Sequence, residues 1–225
     1  MEITHKKIIS NGREIRTRTL YIEKKLYTYD ELNFNAKENA KERILDMFHT
    51  EYLFTDYCIQ DLKNIFGENV NLNIEYSLSY CQGDGLNIYG KIDAKSIIEC
   101  LEKHNTGDLL EEFENILTEK EKKTILKYAE YCGDIYIPKN GRYAYSMADY
   151  ISLDDWIVEL ESYDFKNINT KAIEKFESMV KGIFGNLNTF YKDDGYKYFY
   201  EMDEEELKAI CLENDYEFYE DGILF

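Results

Sequence analysis

The sequence predicts an α+β fold, with antiparallel hairpins and sheet packed against several amphipathic helices in two lobes. Three observations carry this expectation. Apolar residues switch along the chain between a period of two and a period of three to four. Turn chemistry such as Cys81-Gln82-Gly83-Asp84-Gly85 and Asn140-Gly141 joins period-two segments over short spans, as antiparallel pairs require. Helical and strand patterns alternate irregularly, whereas a parallel sheet would repeat one strand–helix unit.

Taken in order, Ile15, Thr17, Thr19 and Tyr21 alternate with Arg16, Arg18, Leu20 and Ile22. They predict a strand paired with Ile3 to Ile9 across Ser10-Asn11-Gly12. Leu32, Ala36, Ala40, Ile44, Leu45 and Phe48 then recur at helical spacing, and a second helix from Leu53 to Phe66 stops at Gly67. The clearest strand has Val70, Leu72, Ile74, Tyr76, Leu78 and Tyr80 on one face. It turns through Gly83-Asp84-Gly85 into Leu86, Ile88 and Gly90. Asp93 caps a helix to His104, and a shorter one is expected over Leu109 to Leu117. Thr118 with Glu121 forms a capping box for a helix to Tyr131, closed by Gly133. A hairpin over Ile135 to Tyr145, with Pro138 at its rim, marks the expected boundary between lobes at 1–133 and 134–225. Beyond it the expectations are helices over Asp154 to Leu160, Thr170 to Gly182 and Glu204 to Asn214. Asp193-Asp194-Gly195 reads as a turn, Tyr196 to Met202 as a strand, and Tyr216 to Phe225 as a hairpin about Asp221-Gly222.

Of the 225 residues, 44% are hydrophobic and 15% aromatic, too many for a disordered acidic chain. No stretch reaches the roughly 20 apolar residues of a membrane-spanning helix, and the first residues lack an apolar signal core, so the expected location is cytoplasmic. Five cysteines, an odd number without a C-x-x-C pair, read as free thiols. His5, His49 and His104 show no ligand spacing, and neither a metal nor a cofactor is expected.

The net charge of −18 is unevenly spread. Residues 1 to 50 hold ten Lys/Arg against eight Asp/Glu, whereas from Lys192 onward twelve acidic residues face only Lys192, Lys197 and Lys208. Such a segment repels a phosphate backbone, so direct nucleic-acid binding is not expected. It attracts a basic protein whose own ligand is nucleic acid. The candidate partner-binding residues are the carboxylates Asp193, Asp194, Glu201, Asp203, Glu204, Glu205, Glu217 and Glu220. Tyr198, Tyr200, Tyr216 and Tyr219 join them as amphipathic anchors.

Within the motif turn Cys81, Gln82, Gly83, Asp84 and Gly85, the thiol could act as a nucleophile with Asp84 orienting a base. No histidine lies nearby in sequence to generate the thiolate, and the simpler reading is a structural turn. The carboxylate pairs Asp154-Asp155, Asp193-Asp194 and the run Glu204-Glu205-Glu206 are unspecific among 45 acidic residues. No catalytic residue is therefore assigned.

Three segments together resemble a loose group of uncharacterised phage and prophage proteins. They are Leu26-Tyr27-Thr28-Tyr29-Asp30-Glu31-Leu32-Asn33-Phe34-Asn35-Ala36-Lys37-Glu38-Asn39-Ala40, Tyr76-Ser77-Leu78-Ser79-Tyr80-Cys81-Gln82-Gly83-Asp84-Gly85, and Asn214-Asp215-Tyr216-Glu217-Phe218-Tyr219-Glu220-Asp221-Gly222. The resemblance implies a bacterial virus or mobile element acting inside a host cell and carries over no site residues. With the acidity, it leads to the expectation of a non-enzymatic inhibitor of a host defence system, of the anti-CRISPR or antirestriction type, that blocks the basic channel of a CRISPR or restriction nuclease. The alternatives are a small enzyme centred on the Cys81–Gly85 turn and a phage structural or assembly adaptor.

Overall fold

The computed structural model describes residues 2–10 and 13–22 as backbone, and residues 24–102, 109–139 and 146–225 in full. The fold is α+β: among the described residues there are seven α-helices, a two-stranded ribbon and a three-stranded antiparallel sheet. The chain divides into two compact units, Met1–Thr50 with Phe199–Phe225, and Glu51–Tyr198. The expected boundary at 133/134 falls inside the second unit, because β5 just beyond it completes that unit's sheet.

In the first unit, β1 (Glu2–Ser10) pairs antiparallel with β2 (Arg13–Ile22). The expected connecting turn at Asn11-Gly12 lies outside the described residues. Helix α1 (Phe34–Phe48) starts at Asn33, whose side chain accepts from the Ala36 N–H at 3.1 Å. Its apolar stripe of Ala36, Ala40, Ile44 and Leu45 shares a core with Tyr29, Leu207, Cys211 and Phe218. Helix α7 (Glu204–Glu213) is capped by Asp203, which accepts from the Glu206 N–H at 2.8 Å, and Glu204, Glu205 and Glu206 occupy its first turn, where the helix dipole favours them. The chain end folds back as a short bridged turn: Phe218 exchanges hydrogen bonds with Tyr27 at 2.8 and 2.9 Å and also bridges Leu224. Gly222, at φ 82°, is required there, since a Cβ would collide with the Ala36 carbonyl.

The second unit opens with α2 (Glu51–Phe66), followed by β3 (Asn71–Ser77) and β4 (Gly85–Ile92), paired in the expected hairpin. Helix α3 (Ala94–Glu102) has Asp93 as its cap, with the Ser96 N–H at 2.8 Å. The 109–117 stretch holds one 3-10 turn, Glu111–Phe113, in place of the expected helix. Helix α4 (Glu119–Cys132) carries the Thr118/Glu121 capping box. Strand β5 (Ile135–Ile137) adds to β4, and the expected return arm of its hairpin lies in residues outside the description. Helices α5 (Asp154–Ser162) and α6 (Thr170–Tyr200) complete the unit, the last two residues of α6 belonging to the first.

Helix α6 corrects two expectations. Asp193-Asp194-Gly195 is not a turn and Tyr196 to Met202 is not a strand, because the helix runs through the former and on to Tyr200. Local β propensity at Tyr196, Tyr198 and Phe199 yields to burial. The stripe Ile173, Phe176, Val180, Ile183, Phe184, Leu187, Tyr191 and Gly195 continues at helical spacing and is fully covered.

Strand β4 gains a side-chain partner where β5 is too short to reach. Buried Asn188 on α6 accepts from the Ile88 N–H at 2.8 Å and donates to Ser146 Oγ at 2.8 Å. Buried Asn87 donates to the Pro138 carbonyl at 3.1 Å and accepts from the Met147 N–H at 2.9 Å. Buried backbone groups left unpaired are costly, so these amides complete the sheet edge. Asn188→Ala should therefore lower the unfolding free energy by about 1–3 kcal/mol, read by urea denaturation. A change within about 0.5 kcal/mol would place Asn188 among surface-like positions instead.

Candidate functional site

The motif turn is built around one carboxylate. Gly83 sits at φ 103° in a turn closed by the Asp84 N–H on the Cys81 carbonyl at 3.2 Å. Asp84 Oδ2 accepts from the backbone N–H groups of Ser79 (2.7 Å) and Cys81 (3.1 Å) and from the Tyr196 hydroxyl (2.7 Å). Its Oδ1 accepts from Cys81 Sγ (3.1 Å), Ser79 Oγ (3.3 Å) and Ser77 Oγ (3.4 Å). Desolvation alone would raise the Asp84 carboxyl. The hydrogen bonds from Cys81, Tyr196 and Ser79 outweigh it and hold the group far below the usual carboxylate range. Burial, then the bond to Asp84, pushes Tyr196 up to about 12, so the phenol keeps its proton as donor. Tyr80 stacks on it at 4.7 Å.

Chemically this carboxylate is spent. Six donors fill its lone-pair sites, leaving none to take a substrate proton. Cys81 is exposed, and its side chain meets Ser79 and Asp84, whereas activated thiols sit beside cations or histidine. Gln82 and Gly83 are exposed, and Gly85 is buried at the start of β4.

A second polar cluster joins α2 to α6. The buried Tyr191 hydroxyl donates to Asp61 at 2.7 Å, and burial followed by that bond raises its pKa strongly. Burial first, then Asp194 and Asp61, pushes both Tyr57 and Cys58 up to about 12. These groups stay protonated and bind the two helices together. Among the described residues no three His, Cys, Asp or Glu side chains are arranged to hold a metal ion, and no helix is long and apolar enough to cross a membrane.

The acidic residues singled out from sequence fall on both units. On α6, Asp193 is exposed beside Lys192 at 3.7 Å, Asp194 is half-buried against Tyr57, and Tyr198 stacks on Phe54 at 5.3 Å as part of the packing. In the first unit all ten carboxylates between Phe199 and Phe225 are exposed, Glu201, Asp203, Glu217 and Glu220 among them. Glu204 pairs with Lys208 (3.2 Å) and Lys37 (3.6 Å), and Glu205 with Lys208 (3.6 Å). Tyr200 is exposed, while Tyr219 is half-buried, beneath Lys24 at 4.6 Å.

Beside this segment lies a cavity of about 370 Å³ lined by Tyr29, Tyr216, Cys211 and the exposed Leu212, with Asp30, Asp215, Glu217 and Lys208 also on its lining. Sequence reasoning found Tyr216 and Glu217 but missed Tyr29, Asp30 and Lys208. The Tyr-Asp pair lies far away in sequence, and a lone lysine in an acidic run carries no signal. Tyr196 carries no sequence signal as the partner of Asp84, because its local β propensity hides the helix that brings it there. No protein-family model matches the chain, and neither a curated protein nor a solved structure is significantly similar to it. Fold and site together define an acidic α+β protein with tyrosine-lined concavity and a carboxylate-locked hairpin.

The lock has a pH signature. Asp84's folded pKa is depressed, so its contribution to stability is present above the unfolded carboxyl value of about 4 and is lost as pH falls through the lower folded value. Asp84→Asn should be less stable than the parent at pH 7, with the two converging in strong acid. In the variant, Tyr196 should titrate back toward about 10, followed by NMR of ring-labelled tyrosine. Equal stability of the two proteins at pH 7 would show that the turn does not depend on this charge.

Proposed function

We propose that the protein is a non-enzymatic binding protein whose exposed acidic C-terminal segment docks on the basic surface of a nucleic-acid-handling protein. In its specific form the reading is an inhibitor of a host nuclease, of the anti-CRISPR or antirestriction type. One observation carries it: ten exposed carboxylates between Phe199 and Phe225 stand against Lys208 alone in the same stretch. Self-repulsion in such a segment opposes compactness, and a partner of opposite charge relieves it. The tyrosine-walled cavity supplies what charge cannot, a concave apolar contact able to seat one side chain of the partner. Asp84, which the rival enzyme reading would have orient a base for Cys81, is engaged in holding its own turn.

The test is titration of the purified chain against Arg/Lys-rich CRISPR and restriction nucleases, reading complex formation and residual cleavage across a salt series. Complexes should form at low salt and weaken steeply as the Debye length shrinks from about 30 Å at 0.01 M to about 8 Å at 0.15 M. Charge reversal at Glu201, Glu217 and Glu220 should slow association by about tenfold or more. Binding that ignores salt and these substitutions, or no binding to any such enzyme, would overturn the reading.

A further inference from the structure

The lysines of α4 gather on one face among the carboxylates Glu119, Glu121 and Glu130 of the same helix. Lys120, Lys123 and Lys127 recur at i, i+3 and i+7, which puts them on one face of the helix, and all three are exposed. Lys166, from the loop after α5, joins them around a groove of about 570 Å³. Among the described residues none of these four is in an ion pair, whereas neighbouring Lys122 is tied to Glu102 and Glu119 at 3.0 Å, and Lys175 to Glu121 at 3.0 Å. Other described lysines, such as Lys41, Lys63 and Lys91, also lack an ion pair, and what sets these four apart is that they line one groove. The carboxylate among the groove's lining residues, Glu119, is the one held by Lys122.

Aromatic rings stand beside these cations. Lys127 lies 5.3 Å from the Phe165 ring centre, and Phe165 packs edge-on to Tyr131 at 4.9 Å. Tyr131 in turn meets Tyr163 at 5.3 Å, and these two rings are 42% and 53% exposed. The loop that carries Tyr163 and Lys166 is fixed in place. The Asn169 N–H donates to the Tyr128 hydroxyl at 2.9 Å, the Phe165 N–H donates to the Leu160 carbonyl at 3.1 Å, and Asp164 and Asn167 adopt φ of 58° and 61°.

We infer that this groove binds single-stranded nucleic acid, with phosphates on the four lysines and bases against Tyr131 and Tyr163. Unpaired cations along a track with exposed rings at its side are the two components such binding needs. Lys120 to Lys127 spans about 10 Å of helix axis, room for a few consecutive phosphates. A duplex keeps its bases stacked inside and cannot use the rings. The acidic segment from Lys192 onward argues against nucleic acid there, but this patch lies elsewhere, within the second unit, and stands independently of that segment's role.

The experiment is fluorescence anisotropy of a labelled oligothymidine of about a dozen nucleotides with the full chain at low ionic strength. Saturable binding is expected, with log K falling against log salt at a slope of about −2 to −3, three to four phosphates at about −0.7 each. Lys123→Ala with Lys127→Ala should weaken it at least tenfold, and Tyr131→Ala or Tyr163→Ala about five- to a hundredfold. Tyr131→Phe, which keeps the ring, and Lys95→Ala, on the separate helix α3, should leave it unchanged. Absence of binding, or insensitivity to the lysine pair, overturns the site. Equal affinity for duplex or inorganic polyphosphate, with no effect of the tyrosine changes, overturns the single-strand assignment in favour of a plain anion patch.

Discussion

Helix α6 is the constraint on which the second unit is assembled. Its continuous stripe must be covered on every turn, and the neighbouring elements are placed by that demand: Phe66 of α2 stacks on Phe184 at 5.7 Å, and Trp156 of α5 lies 6.2 Å from Phe176. At two points the approach is closer than a side chain allows. A Cβ on Gly182 would strike the Phe113 ring, and one on Gly195 would strike Leu78 and Phe54. Close packing at Gly195 brings the next residue, Tyr196, within 2.7 Å of Asp84, so the motif turn is secured by the same helix that fills the core.

Carboxylates serve two opposite ends in this chain. Asp84 is a local hub that accepts from six donors and so ties its own turn to Tyr196 of α6. The C-terminal carboxylates satisfy no such need. Exposed pairs such as Glu204 with Lys37 and Lys208 are screened by solvent and contribute little to stability, too little to account for a segment this acidic. Their shared feature is accessibility.

Much of the architecture was legible because local chemistry and burial agreed. Asp93 and Thr118 with Glu121 cap helices as expected, since each cap is decided within four residues. The β3–β4 hairpin was legible from alternation. Where local and distant demands conflicted, the sequence misled: Tyr196, Tyr198 and Phe199 favour a strand, yet Tyr198 stacks on Phe54 from within a helix. The unit boundary was illegible because the first unit is assembled from both ends of the chain, and no composition shift marks a core shared by Ala36 and Leu207. For the candidate site, the acidic run could be read directly. The cavity wall at Tyr29 could not, as it depends on a contact across almost the whole sequence.

Net charge is a weak guide to where a folded chain binds, and α4 shows why. At physiological salt the field of a charge decays over about 8 Å, so a ligand in contact with Lys123 and Lys127 responds mainly to charges within a helix turn or two. Lys122 and Lys175 are neutralised by their own partners, whereas Lys120, Lys123, Lys127 and Lys166 are in no ion pair among the described residues, and exposed Glu130, one turn from Lys127, offsets part of their charge. Averaging over the chain hides such a patch under the −18 total. The pairing of each cation, which only the folded structure discloses, decides what that surface can hold.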